Sequence, residues 1–169
     1  MRYLSPILIT TLSVLLMPVA RADITSILPC GSSDITMHTD DRSGLYDGMS
    51  QSGTSLVLHN TGPRACMLPP RPNLTFSDAA HRPMTVKRRT VRGMHPGPVL
   101  TPVIVPKGQK LYILLRWVSS DVFDGGNCIR PAFVSLNLAG GSLTVTFDRQ
   151  MCAAKDQTGY YSQSLTGTP

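Results

Sequence analysis

Short stretches in which apolar and polar residues alternate recur along the chain, and turn residues separate them at regular intervals. Alternation with a period of two is typical of β-strands that have one buried and one solvated face. The segments between these stretches carry the Gly, Pro, Asn and Asp residues that turns require. The pattern predicts strands over residues 34–39, 54–60, 73–77, 84–91, 99–105, 110–118, 132–139 and 142–148.

The composition agrees with this pattern, because the chain holds 14 Gly, 14 Pro and no Glu. Strong helix formers are therefore scarce, and helix breakers are spread along the whole sequence. We expect an all-β fold, a single immunoglobulin-like Greek-key β-sandwich of seven to eight strands. A small open β-barrel is the alternative.

The clearest predicted element is the last hairpin, folded about Gly140-Gly141. Polar residues alternate with apolar ones along both of its strands, so one face belongs to the core and the other to solvent. The register expected from this fold pairs Leu138 with Leu143, Leu136 with Val145, and Val134 with Phe147.

The four cysteines predict two disulfides. Extending the hairpin brings Cys128 to within one residue of Cys152, and antiparallel neighbours lie at a separation that a disulfide accepts. A bulge near Pro131 or after Phe147 is needed to remove the one-residue mismatch.

By elimination, Cys30 pairs with Cys66. If the strands alternate in direction, Cys30 at the start of the first strand and Cys66 just after the second lie at the same end of the sandwich. Each bridge closes a loop and is expected to contribute about 2 to 4 kcal/mol to stability.

The beginning of the chain has the pattern of an export signal. Arg2 supplies a positive charge, residues 7–19 an apolar run, and Ala20-Arg21-Ala22 a cleavage site with small residues. We expect residues 1–22 to be a signal peptide and residues 23–169 to form the β-sandwich domain, with a polar tail from about residue 153. The apolar run is too short to span a membrane, and no transmembrane segment is expected after cleavage. A periplasmic or secreted location follows, in keeping with the cysteines.

Removing residues 1–22 leaves 14 Lys and Arg against 10 Asp, a net charge of +4. This mild excess suits acidic partners but lies well below the concentrated basicity of a nucleic-acid-binding domain. The strongest charged feature is a segment with five basic residues and no acid: Arg82, Lys87, Arg88, Arg89 and Arg92. It is either a contact surface for an anionic envelope component or an unknown acidic protein, or an edge strand protected by its charges.

Metal binding is the sharpest alternative function. The pairs Met37-His38 and Met94-His95 each place a thioether beside an imidazole, and such ligands suit copper. Adjacent strand residues point to opposite faces, however, so one member of each pair is expected to pack inward. Asp121, Asp124 and Asn127 offer oxygens to calcium, but their spacing is not that of a calcium loop. No cofactor is expected.

Motifs for catalysis are weak. Residues 48–52 begin like the nucleophile elbow of a hydrolase around Ser50, but Ser52 stands where the second glycine belongs. A hydrolase is therefore a second alternative, and a protein that is not an enzyme is favoured. Trp117 lies in phase with the apolar positions of strand 110–118 and is expected in the core. Tyr160-Tyr161 is either an exposed contact or part of a last strand that docks at an edge.

Several short motifs, in order, resemble those of one family. They are the stretch 56–62, Cys66 and Pro69, Val105-Pro106-Lys107-Gly108 leading into Leu115-Arg116-Trp117, and Cys128 with the strand that follows it. This pattern is similar to that of the bacterial exported domains known as domain of unknown function 4232. The resemblance implies an immunoglobulin-like sandwich with paired cysteines and implies no activity. We therefore expect an exported, disulfide-stabilised, non-catalytic binding or accessory domain of the bacterial envelope.

Overall fold

A computed structural model of the chain describes residues 26–89 and 99–168. The predicted signal peptide, the end of the predicted strand 84–91, and the candidate residues Arg92, Met94 and His95 lie outside the described residues. One short 3-10 turn (Arg42–Gly44) follows the first strand. The strands are β1 (Ile35–Asp40), β2 (Gln51–Asn60), β3 (Cys66–Leu68), β4 (Leu74–Ser77), β5 (Pro83–Met84), β6 (Lys87–Arg88), β7 (Val103–Val105), β8 (Lys110–Val118), β9 (Asn127–Ile129), β10 (Phe133–Leu138), β11 (Gly141–Thr146), β12 (Met151–Ala153) and β13 (Tyr160–Gln163).

Two larger sheets form the layers of the fold. The first has five strands in the order β1-β2-β8-β13-β6, and the second has four in the order β11-β10-β4-β5. Two-stranded ribbons, β3 with β7 and β9 with β12, complete the described part of the chain. None of these sheets closes on itself, so the sandwich prediction is confirmed over the small barrel.

The core lies between the two larger sheets. Inward-facing side chains of β8 alternate with half-exposed ones, and Trp117 is only 2% exposed, as predicted. Its ring lies 5.1 Å from that of Phe147, which in turn contacts Phe76 edge-on at 5.3 Å. Burial of these rings supplies much of the hydrophobic stabilisation of the fold.

One predicted strand is wrong. Within the described part of the predicted strand 84–91, residues 84–89 do not form a single strand, because the chain crosses between the sheets at Thr85-Val86. Strand β5 pairs with β4 in the four-stranded sheet, whereas β6 pairs in parallel with β13 in the five-stranded sheet. The predicted strand 99–105 is also shorter than expected and begins only at Val103, after Pro102.

The last hairpin forms, but its predicted register is wrong by two residues. Leu138 pairs with Gly141, and Leu136 therefore pairs with Leu143. The reason is a tight turn at Ala139-Gly140, in which Gly140 takes a φ of 76° that suits glycine. A slip of two residues leaves every side chain on the face where it was expected, since strand alternation has a period of two.

The bulge expected after Phe147 is present. The backbone amides of Phe147 and Asp148 both donate to the carbonyl oxygen of Ala132, so two residues oppose one. The resulting one-residue shift places Cys128 directly opposite Cys152. A disulfide joins these two residues, which is the pairing that the hairpin argument predicts.

The second disulfide joins Cys30 to Cys66, the pair assigned by elimination. Both residues are buried, at 1% and 5% exposure, and the bridge belongs to the core cluster. It attaches the segment before β1 to β3. Backbone hydrogen bonds between Leu28 and Met67 and between Cys30 and Met67 extend this attachment.

We expect replacement of both Cys30 and Cys66 by Ala to lower the free energy of unfolding by about 3 to 4 kcal/mol, because the bridge closes a loop with a sequence separation of 36. Urea denaturation followed by tryptophan fluorescence measures this change. The matched C128A/C152A variant opens a loop with a separation of 24 and should lose a similar amount. A loss below about 1 kcal/mol in the first variant contradicts the stabilising role.

Candidate functional site

The basic segment lies at the edge of the five-stranded sheet, as seen in the described residues. Strand β6 is held by β13, because the Lys87 amide donates to the Gly159 carbonyl at 2.9 Å and the Arg89 amide donates to the Tyr161 carbonyl at 2.7 Å. Side chains alternate along this segment. Lys87 and Arg89 therefore share one face, and Arg88 points to the other.

The Arg88 side chain stabilises the fold by hydrogen bonds to neighbouring segments. Its guanidinium donates to the Pro72 carbonyl at 3.3 Å, to Gln163 Oε1 at 3.2 Å and to Asn73 Oδ1 at 3.4 Å. The buried Gln163 side chain also donates to the Pro72 carbonyl, at 3.0 Å. These hydrogen bonds connect the edge strand β6 to residues 72–73, so the guanidinium of Arg88 has a structural role. Burial raises the pKa of the neighbouring Tyr161 phenol, and the positive charge of Arg88 acts in the opposite direction.

Arg89 and Lys87 face solvent on the side of the sheet away from the core. The Arg89 guanidinium lies 4.1 Å from the centroid of the Tyr160 ring, an arrangement that holds the cation by its attraction to the ring face. The planar guanidinium keeps its in-plane N–H donors available in this position. A groove of about 420 Å³ opens beside these residues, lined by Lys87, Arg88, Arg89, Asp156, Gln157, Thr158 and Tyr160.

The predicted five-residue basic cluster is therefore divided. Arg82 belongs to the connection between β4 and β5, where its Nε donates to Asp78 Oδ2 at 2.7 Å. The backbone amide of Arg82 is the main cause that holds the pKa of Asp78 below its ordinary value, and the guanidinium adds to it. Since Arg92 lies outside the described residues, the structure brings only Lys87 and Arg89 together as solvent-facing cations in the groove.

The first candidate copper pair is split by strand alternation. Met37 packs against the core, whereas His38 is exposed on the other side of β1. The second pair, Met94-His95, lies outside the described residues. Within residues 26–89 and 99–168, no group of three or more His, Cys or Asp side chains is placed to hold a metal ion.

Two of the three candidate calcium residues, Asp121 and Asn127, contact other parts of the protein. The Asp121 carboxylate lies where a side chain on Gly126 would otherwise stand, and the Asn127 amide donates to the Gln157 carbonyl at 3.0 Å. The candidate nucleophile Ser50 stands just before β2, and its carbonyl accepts the Ser119 amide at 2.8 Å. Ser50 thus leads into a strand, whereas a nucleophile elbow requires a strand-to-helix turn.

The sequence analysis left the role of Tyr160-Tyr161 open and missed residues 156–158. Strand β13 docks between β8 and β6, with Tyr161 buried against Phe76 at a ring separation of 5.2 Å and Tyr160 on the outer side. The sequence Tyr160–Gln163 does not alternate between apolar and polar residues, so its local signal is the β propensity of the two tyrosines; the alternation appears only in the burial of the side chains. Its parallel pairing with β6 joins residues far apart in the chain, and a local pattern carries no information about such a pair.

Comparison with known protein families gives a match over most of the chain. The model of a family described as domain of unknown function (DUF4232) matches residues 30–168, a span that contains both disulfides and every strand from β1 to β13. No curated protein and no solved structure matches. In the described residues, no helix has the length and apolar character needed to cross a membrane.

We expect Arg88→Met to lower the free energy of unfolding by about 1 to 2 kcal/mol, because it leaves the oxygens of Pro72, Asn73 and Gln163 without their charged donor. The matched variant Arg89→Met makes the same replacement at the neighbouring residue. It loses only the contact with Tyr160 and should lower the free energy of unfolding by about 1 kcal/mol or less. Urea denaturation of the two variants measures both values. Equal losses, or a larger loss for Arg89→Met, would contradict the division of roles between these neighbours.

Proposed function

The chain belongs to the DUF4232 family, and from this premise we propose that it is a non-catalytic binding or accessory domain of the bacterial envelope that holds an anionic partner in the groove beside β6. The two disulfides fit a domain outside the cytoplasm, where thiols are oxidised. Export through the leader predicted at residues 1–22, to the periplasm or beyond, is part of this proposal.

The observation that carries the proposal is the pair of solvent-facing cations, Lys87 and Arg89. Among the described residues, neither takes part in an ion pair, whereas Arg82, Arg130 and Arg149 each contact an Asp carboxylate. Free cations on a rigid strand lose little conformational entropy when they bind an anion. Arg89 is further fixed by its contact with Tyr160.

The other polar groups of the groove suit binding. The side chains of Gln157 and Thr158 offer an amide and a hydroxyl, which hydrogen-bond to an anionic group or its neighbours. Asp156 at the same rim favours ligands whose negative charges are spaced apart, since a dense cluster of charges would meet its carboxylate. Charge-assisted hydrogen bonds from Lys87 and Arg89 would supply most of the affinity.

Protection of the sheet edge is a second use of the same charges. Strand β6 ends the five-stranded sheet, and Lys or Arg on an edge strand opposes pairing with another molecule. The two uses make different demands, because edge protection needs charge alone, whereas binding needs these particular side chains in the groove.

We expect the double variant K87S/R89S to elute from a sulfated matrix at clearly lower salt than the unaltered protein, and to lose about tenfold or more in affinity, because two charge-assisted contacts are removed. The matched control R82S/R130S removes the same number of positive charges from residues already paired with Asp78 and Asp148. Elution at the same salt by both double variants would contradict the proposal, since net charge alone would then explain retention.

The same variant separates binding from edge protection. If K87S/R89S self-associates in size-exclusion chromatography but is retained on the matrix like the unaltered protein, the charges protect the edge and the binding proposal is wrong. If K87S/R89S instead loses retention, a pull-down from envelope extract with the unaltered protein and K87S/R89S side by side identifies the components that only the unaltered protein retains.

A further inference from the structure

The face of the five-stranded sheet that points away from the core, called the outer face below, continues the groove across two more strands. Ser162 of β13 pairs with Arg116 of β8, and both side chains lie on this face. The pairing of β6 with β13 places Arg89 level with Ser162. Arg89, Ser162 and Arg116 therefore form one row, in which the two arginines stand about 10 Å apart, twice the spacing between strands.

Arg116 pairs with Gly53 of β2, where the loop that precedes β2 packs closely on the strand. A Cβ on Gly53 would lie 2.7 Å from the Leu115 carbonyl oxygen and 2.9 Å from Cβ of Tyr46, so this position requires glycine, and Cγ of Arg116 lies beside it at an ordinary contact distance of 3.4 Å. The Tyr46 hydroxyl is hydrogen-bonded to Ser55 Oγ at 2.9 Å. The stem of Arg116 thus lies next to Gly53, on the face where Tyr46 packs.

A second stacked arginine lies further along the same face. The Arg42 guanidinium is 5.7 Å from the centroid of the Tyr112 ring, and Tyr112 lies about 13 Å along β8 from Arg116, four residues at the usual rise. Arg42 and Ser43 both have positive φ, at 46° and 55°, which is costly for residues other than glycine. Strain of this kind is concentrated at functional sites.

The strands of the outer face carry little negative charge, and Asp156 lines the groove at one end of it. On the five strands of this sheet, which all lie in the described residues, Asp40 is the only acidic residue, and its Oδ1 accepts the Arg42 amide at 2.9 Å. The positively charged side chains on this face are Arg42, Lys87, Arg89, Lys110 and Arg116. Cations separated by hydroxyl groups such as those of Ser162 and Tyr46 match a ligand whose anionic groups alternate with neutral, hydroxyl-rich units.

We propose that the outer face binds an extended acidic polysaccharide, with Arg89, Arg116 and Arg42 contacting successive anionic groups along the polymer. This inference rests on the proposed function, because the groove at Lys87 and Arg89 forms one end of the path. An acidic polysaccharide fits this path better than double-stranded nucleic acid, since the net charge of +4 without the leader is small for a phosphate backbone. It fits better than a lipid surface because the five strands of this sheet carry no exposed large apolar residue.

The test is titration of the mature protein with three probes: dextran sulfate, neutral dextran of equal length, and phosphatidylglycerol vesicles. We expect saturable binding of dextran sulfate and none of neutral dextran. Arg116→Gln and Arg42→Gln should each weaken binding about five- to tenfold, because each removes one guanidinium contact. The matched control Arg130→Gln removes an arginine already paired with Asp148 and should change binding less than twofold.

The outcomes separate this inference from the proposed function. If K87S/R89S loses binding while Arg116→Gln and Arg42→Gln behave like Arg130→Gln, the groove is the whole site and the extended path is wrong. If K87S/R89S binds unchanged, the proposed function itself is wrong. Binding of vesicles in preference to dextran sulfate, or equal binding of neutral dextran, overturns the polysaccharide assignment. Arg116→Lys is the control for a folding defect. Its melting temperature should be that of the unaltered protein, and its affinity should lie between those of the unaltered protein and Arg116→Gln. The reason is that lysine keeps the positive charge but lacks the planar guanidinium.

Discussion

The alternation of side chains along β-strands is the constraint on which this molecule depends, because it assigns each neighbouring residue to the core or to solvent. On β8 it buries Trp117 and leaves Arg116 outside. On β13 it buries Tyr161 and presents Tyr160. In the basic segment it places Arg88 on the side of Tyr161 and Gln163, and Lys87 and Arg89 on the opposite, solvent-facing side. The same rule sends Met37 and His38 to opposite sides of β1, and so works against a copper site there.

Features that depend on local pattern were predictable from the sequence. The all-β class, the burial of Trp117, the two faces of the last hairpin and the need for a bulge near Pro131 or after Phe147 all follow from alternation and from residues close together in the chain, and the structure places the bulge after Phe147. The register of the hairpin could not be predicted from the sequence, because both Gly140 and Gly141 permit a turn. Only the structure shows that the turn is at Ala139-Gly140. The face assignment survived this error since the slip was of two residues.

The candidate site was predictable only as a segment of charge. Sequence alone groups Arg82 with Lys87, Arg88 and Arg89, but their environments come from distant parts of the chain. Arg88 donates hydrogen bonds to residues 72–73 and Gln163, and the Arg89 guanidinium stacks on the Tyr160 ring. The contacts with Tyr160 and Gln163 depend on the parallel pairing of β6 with β13, whose residues are more than seventy positions apart in the chain. No local pattern in the sequence predicts that Arg42 and Arg116 lie on the same face of the sheet. They do so because β2 pairs with β8 and because the loop before β2 folds back onto this face.

The crossing of residues 83–88 between the sheets has a mechanical consequence. Strand β5 is bonded into one layer and β6 into the other, with Thr85-Val86 as the connection and Val86 packed on the core. A pulling force on a polymer held at Lys87 or Arg89 would pass along the backbone into both layers at once. Several strands would then share the load in shear, and the edge would resist being peeled away one hydrogen bond at a time, which would suit the polymer binding that we propose.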